Sequence, residues 1–197
     1  MSKHLLLQPA RVKRVGCILL ALFAAALHAN ATGPTSTSSE YKLKAALLYK
    51  LSRFIEWPPA MGKTRPENFK LCILGRDDFG RSLDVLEEHK VNGLPITIHR
   101  YTHSTGVDGD CQMLFISDSK RPFMTTILRS FENQPILTVS DARDFAKNGG
   151  MIQFVLGQKH IGFKINTYAA QAAGLKIAAP LLELAIVVHT KKNKDTP

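Results

Sequence analysis

Short apolar runs of strand length recur along this chain, and each is followed by a segment with room for a helix. Residues 69–74, 111–116 and 136–139 are apolar almost throughout, whereas residues 95–101 alternate. Runs with no polar face suit strands buried on both sides, and helical connections between them let the strands lie parallel. Residues 151–156 and 160–166, joined by Gly157-Gln158-Lys159, read instead as a hairpin. The pattern predicts one α/β domain, a largely parallel sheet with helices on both faces and an antiparallel edge hairpin.

The intervening segments carry helix signals. Ser39 can cap a helix to about Glu56, with Tyr41, Ala45, Leu48 and Ile55 on its apolar face, stopped by Trp57-Pro58-Pro59. Asp77 or Asp78 can cap a second helix to about His89. Further helices are expected near residues 122–131, 141–146, 167–173 and 180–188, with Gly174 suiting the end of the third of these.

The N-terminus points to export. Lys3, Arg11, Lys13 and Arg14 precede an apolar run over 15–27, and Ala29-Asn30-Ala31 follows with small residues. The run is short of the roughly 20 residues that span a bilayer, so residues 1–31 read as a signal peptide cut after Ala31. Residues 32–38 are then a polar linker, 39–190 the folded domain, and 191–197 a basic tail. The formal charge of +10 falls to +6 once Lys3, Arg11, Lys13 and Arg14 are removed. The remaining basic residues are scattered and not interleaved with aromatics, which argues against nucleic acid as a partner.

Catalytic and metal-binding patterns are missing. Gly75-Arg-Asp-Asp-Phe-Gly80 lacks the Lys-Ser/Thr of a phosphate loop, and its aspartates would repel phosphate. His99 and His103 straddle a strand end with no acidic or thiolate ligand beside them. Ser117 has no elbow motif around it and no histidine partner. We expect no enzyme, no metal and no cofactor. The alternative to a surface-acting protein is a small-ligand module whose crevice lies at the strand ends near Gly75, Asp77 and Ser117. Of the cysteines, Cys72 and Cys111 lie beyond the signal segment. In an oxidising compartment they can pair, closing a loop worth roughly 4 kcal/mol; the other reading is two buried thiols on strands that do not face each other.

Several segments, in order, resemble the YfiR-like family (DUF4154). They begin with Glu40-Tyr-Lys-Leu-Lys-Ala-Ala-Leu-Leu-Tyr-Lys-Leu-Ser-Arg-Phe-Ile-Glu-Trp-Pro58 and continue with Leu71-Cys-Ile-Leu-Gly75 and Cys111-Gln-Met-Leu-Phe-Ile-Ser117. Ile136-Leu-Thr-Val-Ser-Asp141, Phe145-Ala-Lys-Asn-Gly-Gly-Met-Ile152, Phe163-Lys-Ile-Asn166 and Ala173-Gly-Leu-Lys-Ile177 follow, and Leu181-Leu-Glu-Leu-Ala185 closes the series. The resemblance implies a periplasmic, homodimeric protein that represses an inner-membrane diguanylate cyclase through that enzyme's periplasmic domain. It also implies sequestration by an OmpA-like outer-membrane lipoprotein and an influence on cyclic-di-GMP and biofilm formation. Some members carry a second cysteine pair where this chain has Ala146 and Gln153, so only Cys72 and Cys111 can form a disulfide here.

The resemblance and the hairpin signal meet in one region. Alternation sends Phe163 and Ile165 to one face and Lys164 and Asn166 to the other. Ile152, Phe163, Lys164, Ile165, Asn166 and the helix that follows are the candidate partner surface. The plainer reading is that Gly149 and Gly150 make a turn and Asn166 caps a helix. Trp57 is a further candidate, as tryptophans favour interfaces, although beside Pro58 it can equally pack on the sheet.

Overall fold

The computed structural model describes residues 35–59, 66–107, 109–157 and 160–190. The expected signal segment, residues 32–34 of the linker and the tail 191–197 lie outside them. The chain divides into two units, Met1–Ser36 and Thr37–Pro197, and the architecture given is that of the second.

In chain order the elements are α1 (Thr35–Ser52), β1 (Ile55–Glu56), β2 (Phe69–Leu74), β3 (Lys90–Val91), β4 (Leu94–Tyr101), β5 (Met113–Ile116), α2 (Met124–Ser130) and β6 (Leu137–Ser140). β7 (Ile152–Leu156), β8 (Ile161–Asn166), α3 (Thr167–Ala172), β9 (Lys176–Ile177), α4 (Ala179–Glu183) and β10 (Val187–His189) complete it. Eight strands form one sheet in the order β10-β8-β7-β6-β5-β2-β4-β3, while β1 and β9 make a separate two-stranded ribbon. The pairs from β4 through β2, β5 and β6 to β7 are parallel, and β7 and β8 form the antiparallel hairpin. The α/β class and the mostly parallel sheet are those the apolar runs predict.

Period-two alternation gives the sheet two apolar faces. Phe69, Leu71 and Ile73 of β2, with Met113 and Phe115 of β5, join a core that includes Ala45, Leu48 and Leu51 of α1. Cys72, Leu74, Leu114 and Ile116 point the other way, into a cluster with Met124 and Ile127 of α2. On that second face the β4–β5 connection holds only the 3-10 turn Ser104–Gly106 among its described residues. A disulfide between Cys72 and Cys111, with Cα atoms 6.1 Å apart, ties the end of this helix-poor connection to the central strand.

Five expectations change. The hairpin is not the edge: β10 lies parallel along β8, with Val187 opposite Lys164. The apolar stretch 180–188 therefore divides into a short helix and a strand, because Ile186-Val187-Val188 is β-branched and finds a strand to pair with. Residues 80–88 form the 3-10 turns Gly80–Ser82 and Asp84–Glu88 rather than an α-helix; Gly80, at φ +50°, interrupts right-handed winding. Residues 141–146 form turns, with Asp144 at φ +59°. Finally, α1 begins inside the expected linker and ends at Ser52, which frees Ile55 and Glu56 to pair with Ile177 and Lys176.

Candidate functional site

Asn166 closes β8 and opens α3. Its side-chain oxygen accepts from the Ala169 N–H at 3.0 Å, capping the helix, while its Nδ2 donates to Ala146 O at 2.9 Å. Of the two residues able to cap this helix, Asn166 and Thr167, it is the first that does so. The Ala146 N–H donates to Gln153 Oε1 at 3.3 Å, joining the turn to β7. Gly150 fits beneath Phe145 only because it lacks a side chain, since a Cβ there would collide with the ring. These contacts hold the turn over the ends of β7 and β8.

That packing sorts the candidate residues. Ile152 and Ile165 are fully buried, and Phe163 and Asn166 are 8% and 6% exposed, so these four build the body and offer little contact area. Lys164 is half-buried between Gln153 of β7 and Val187 of β10, with no ion pair to a described residue. Trp57 packs edge-on against Phe69 at 5.3 Å, and its indole N–H donates to Gln112 O at 3.1 Å. It is a half-buried strut between the end of α1 and the sheet.

The exposed surface of this region comes instead from residues that neighbour those candidates. Leu156, Tyr168, Leu184, Ile186 and Val187 are 62%, 41%, 69%, 55% and 38% exposed, all far above what large apolar side chains need for packing. Ile186, Val187 and Tyr168 are brought near one another by the contacts of β10 with β8 and with the start of α3. Ile186 covers Gly162, where a Cβ would collide with the Ile186 Cδ1, and Ile186 N donates to Phe163 O. Leu156 pairs with Ile161 and so faces the other side of the hairpin from Gly162. Thr167 Oγ1 donates to His189 O at 3.0 Å, bringing the start of α3, and Tyr168 with it, to the end of β10. Exposed branched residues after a short helix were the available signal, and the helical reading of 180–188 concealed it.

A cavity of about 270 Å³ adjoins this region between α2, the 147–149 turn and α3. Arg129, Glu132, Lys147 and Tyr168 line it, together with Thr138 and Asn166. The last two are already engaged: Thr138 Oγ1 accepts from the Met151 N–H, and Asn166 makes the two bonds given above.

The strand-end crevice expected near Gly75, Asp77 and Ser117 is filled by the protein itself. The chain crosses from β2 to β4 on one side and to β5 on the other, so the switch point lies between β2 and β5. There Ser119 Oγ donates to Ser117 Oγ at 3.0 Å and accepts from the Arg76 N–H at 3.0 Å. Gly75, at φ +103°, has Ser119 Oγ 2.7 Å and Lys120 Cγ 2.9 Å from the place a Cβ would take. Asp77 caps the following turn through the Phe79 N–H and receives Arg100 Nε at 2.6 Å. The groups that would bind a ligand are committed to one another.

Beside it lies a buried ionic cluster. Lys44, 3% exposed on the inward side of α1, is paired with Glu40 at 2.6 Å and Asp141 at 2.5 Å, and lies 4.2 Å from the centre of the Tyr41 ring. Tyr41 OH donates to Asp141 and Asp78 at 3.3 and 3.4 Å. Burial, and then the charges of Asp141 and Asp78, hold its phenol above the ordinary tyrosine range. The arrangement fastens α1 to the sheet. Among the described residues there is no cluster of side chains suited to a metal ion, and no helix long and apolar enough to cross a membrane.

Comparison with family models gives a match to the YfiR/HmsC-like family over residues 41–186. A comparison with curated proteins found no match. Among solved structures, an ABC domain in complex with L-Trp from Streptococcus pneumonia aligns with a TM-score of 0.45 at 13% identity. That alignment covers 61% of this chain, which spans 55% of the other.

Proposed function

The chain belongs to the YfiR/HmsC-like family, and we propose that it is a periplasmic regulatory protein that binds an inner-membrane diguanylate cyclase and holds it inactive. Repression lowers cyclic-di-GMP and with it biofilm formation. An OmpA-like outer-membrane lipoprotein and a second copy of the chain are the other partners in this reading. The protein acts through its surface rather than through a reaction.

The observation that carries the proposal is the exposed apolar residues Tyr168, Ile186 and Val187 at β10 and the adjoining start of α3, with Leu184 two residues before Ile186. Apolar side chains gathered on one part of a surface mark an interaction site, where isolated ones would need no explanation. Lys164 lies within this region, paired with Val187 across the strands, and supplies a positive charge. The filled crevice at Gly75 and Ser117 supports a protein partner over a small ligand.

The test is intracellular cyclic-di-GMP in a deletion strain complemented with the wild type or with Ile186→Asp. Wild type is expected to restore the low level and Ile186→Asp to leave it raised, with the variant present at normal abundance in the periplasm. An unchanged level on deletion, in cells that express the gene, would overturn the repressor role. Full complementation by Ile186→Asp would overturn the surface assignment.

A further inference from the structure

We propose that the groove between α1 and residues 79–89 is a second docking site, one that takes an acidic amphipathic helix from a partner protein. It shares no residue with the surface around β10. The groove encloses about 510 Å³. Its α1 wall is formed by Ser38, Lys42, Ala45, Ala46 and Tyr49, whose spacing lines them up along one side of the helix for about 16 Å. Phe79 and Leu86, 3% and 5% exposed, close its base as part of the core and leave contact to the rim. Val85 on the facing wall is 55% exposed, and the His89 ring packs at a tilt against Tyr49, centroids 4.8 Å apart.

Shape and charge together select the occupant. Ala46, small and exposed, lets another helix approach α1 closely, and the half-buried Tyr49 and exposed Val85 suit its apolar stripe. Lys42, Arg81 and His89 stand among the lining residues, and no acidic residue among those described lines the groove. Of the nearby acids, Asp84 faces Arg100 at 3.5 Å and Glu87 accepts from the Ile98 N–H at 3.3 Å, while Glu88 is exposed and does not line the groove. The chain's own ends do not complement this rim, since residues 1–34 contain no acid and the tail carries Lys191, Lys192 and Lys194 against Asp195. A second copy would bring the same net positive charge. An acidic helix from a different protein meets both the apolar and the electrostatic requirement.

The proposal is independent of the cyclase reading and can be tested without it. Purified secreted chain is titrated against a fluorescein-labelled helical peptide of about fifteen residues, with leucines on one face and glutamates on the other. Fluorescence anisotropy follows binding. The glutamate peptide is expected to bind, and its lysine counterpart to fail. K42E/R81E should weaken the glutamate peptide by about tenfold or more and admit the lysine one. A46W, which fills the groove, should weaken binding comparably, with circular dichroism melts showing both variants folded. Undiminished affinity in folded A46W, or equal binding of the two peptides, would overturn the proposal. So would binding to phosphatidylglycerol vesicles that A46W abolishes while the peptide does not bind.

Discussion

The ammonium of Lys44 and the carboxylate of Asp141 meet at 2.5 Å, joining α1 to the carboxyl end of β6 across 97 positions of sequence. A lysine this deep is tolerated because two carboxylates and a ring face surround it. Removing Lys44 leaves both carboxylates without their counter-charge, whereas removing Asp141 leaves Lys44 paired with Glu40 alone. Lys44→Ala should lower unfolding free energy by about 3 kcal/mol, and Asp141→Ala by less. The double variant should cost less than the sum, as read from urea denaturation in a double-mutant cycle.

Tyr41 couples the same cluster to alkaline pH. Its phenol is held above the ordinary value of 10.0 in the folded protein, mainly by burial and then by Asp141 and Asp78. The unfolded chain releases that proton at about pH 10, while the folded chain still holds it. The sign follows: the contribution is complete below about pH 10 and is lost as pH rises further. Urea midpoints measured from about pH 8 to 11 should fall more steeply for wild type than for Tyr41→Phe, which has no proton to lose.

The Cys72–Cys111 disulfide closes a loop with a sequence separation of 39. Replacing both cysteines by alanine should cost roughly 4 kcal/mol in the loop-entropy account. The loss should be visible as a lower midpoint under non-reducing conditions. Hydrogen exchange should quicken in the described part of residues 102–110, where no α-helix holds the connection down.

Trp57 is the single tryptophan of the chain, so its fluorescence reports directly on the junction of α1 with the sheet. Trp57→Ala removes the Phe69 contact and the bond to Gln112 O, at a cost of about 2 kcal/mol for a half-buried ring. A stability loss in calorimetry with cyclic-di-GMP repression intact is the expected pairing. Loss of repression at unchanged stability would assign the ring to the partner surface instead.

Long, well-patterned elements were legible from residue order, and tertiary bargains were not. Leu71-Cys72-Ile73-Leu74 and Met113-Leu114-Phe115-Ile116 are strands because nothing in them can face water. Of the two aspartates offered as a helix cap, Asp77 accepts from the Phe79 N–H, yet the segment after it winds as 3-10 turns rather than the expected helix because Gly80 takes a positive φ. The strands β1, β3, β9 and β10 have two or three residues each, too few for any period, and exist because a partner strand is within reach. At the site, alternation correctly separated Phe163 and Ile165 from Lys164, but burial depends on what covers each face. Phe163 and Ile165 lie under one layer and Asn166 under the 141–150 turn, so the accessible apolar residues come from the ends of the neighbouring elements.

The strand that lies along β8 also bears on how copies of this protein behave toward one another. Without residues 187–189, β8 would end the sheet with six residues of open backbone, Ile161–Asn166, a length and composition that invite growth by addition of further strands. Residues 187–189 cover its second half, Lys164–Asn166, and leave only residues 161–163 of this edge open, a rim too short to template much. On this edge the body can therefore keep greasy side chains outside for recognition while withholding the continuous backbone ladder that would turn recognition into polymerisation.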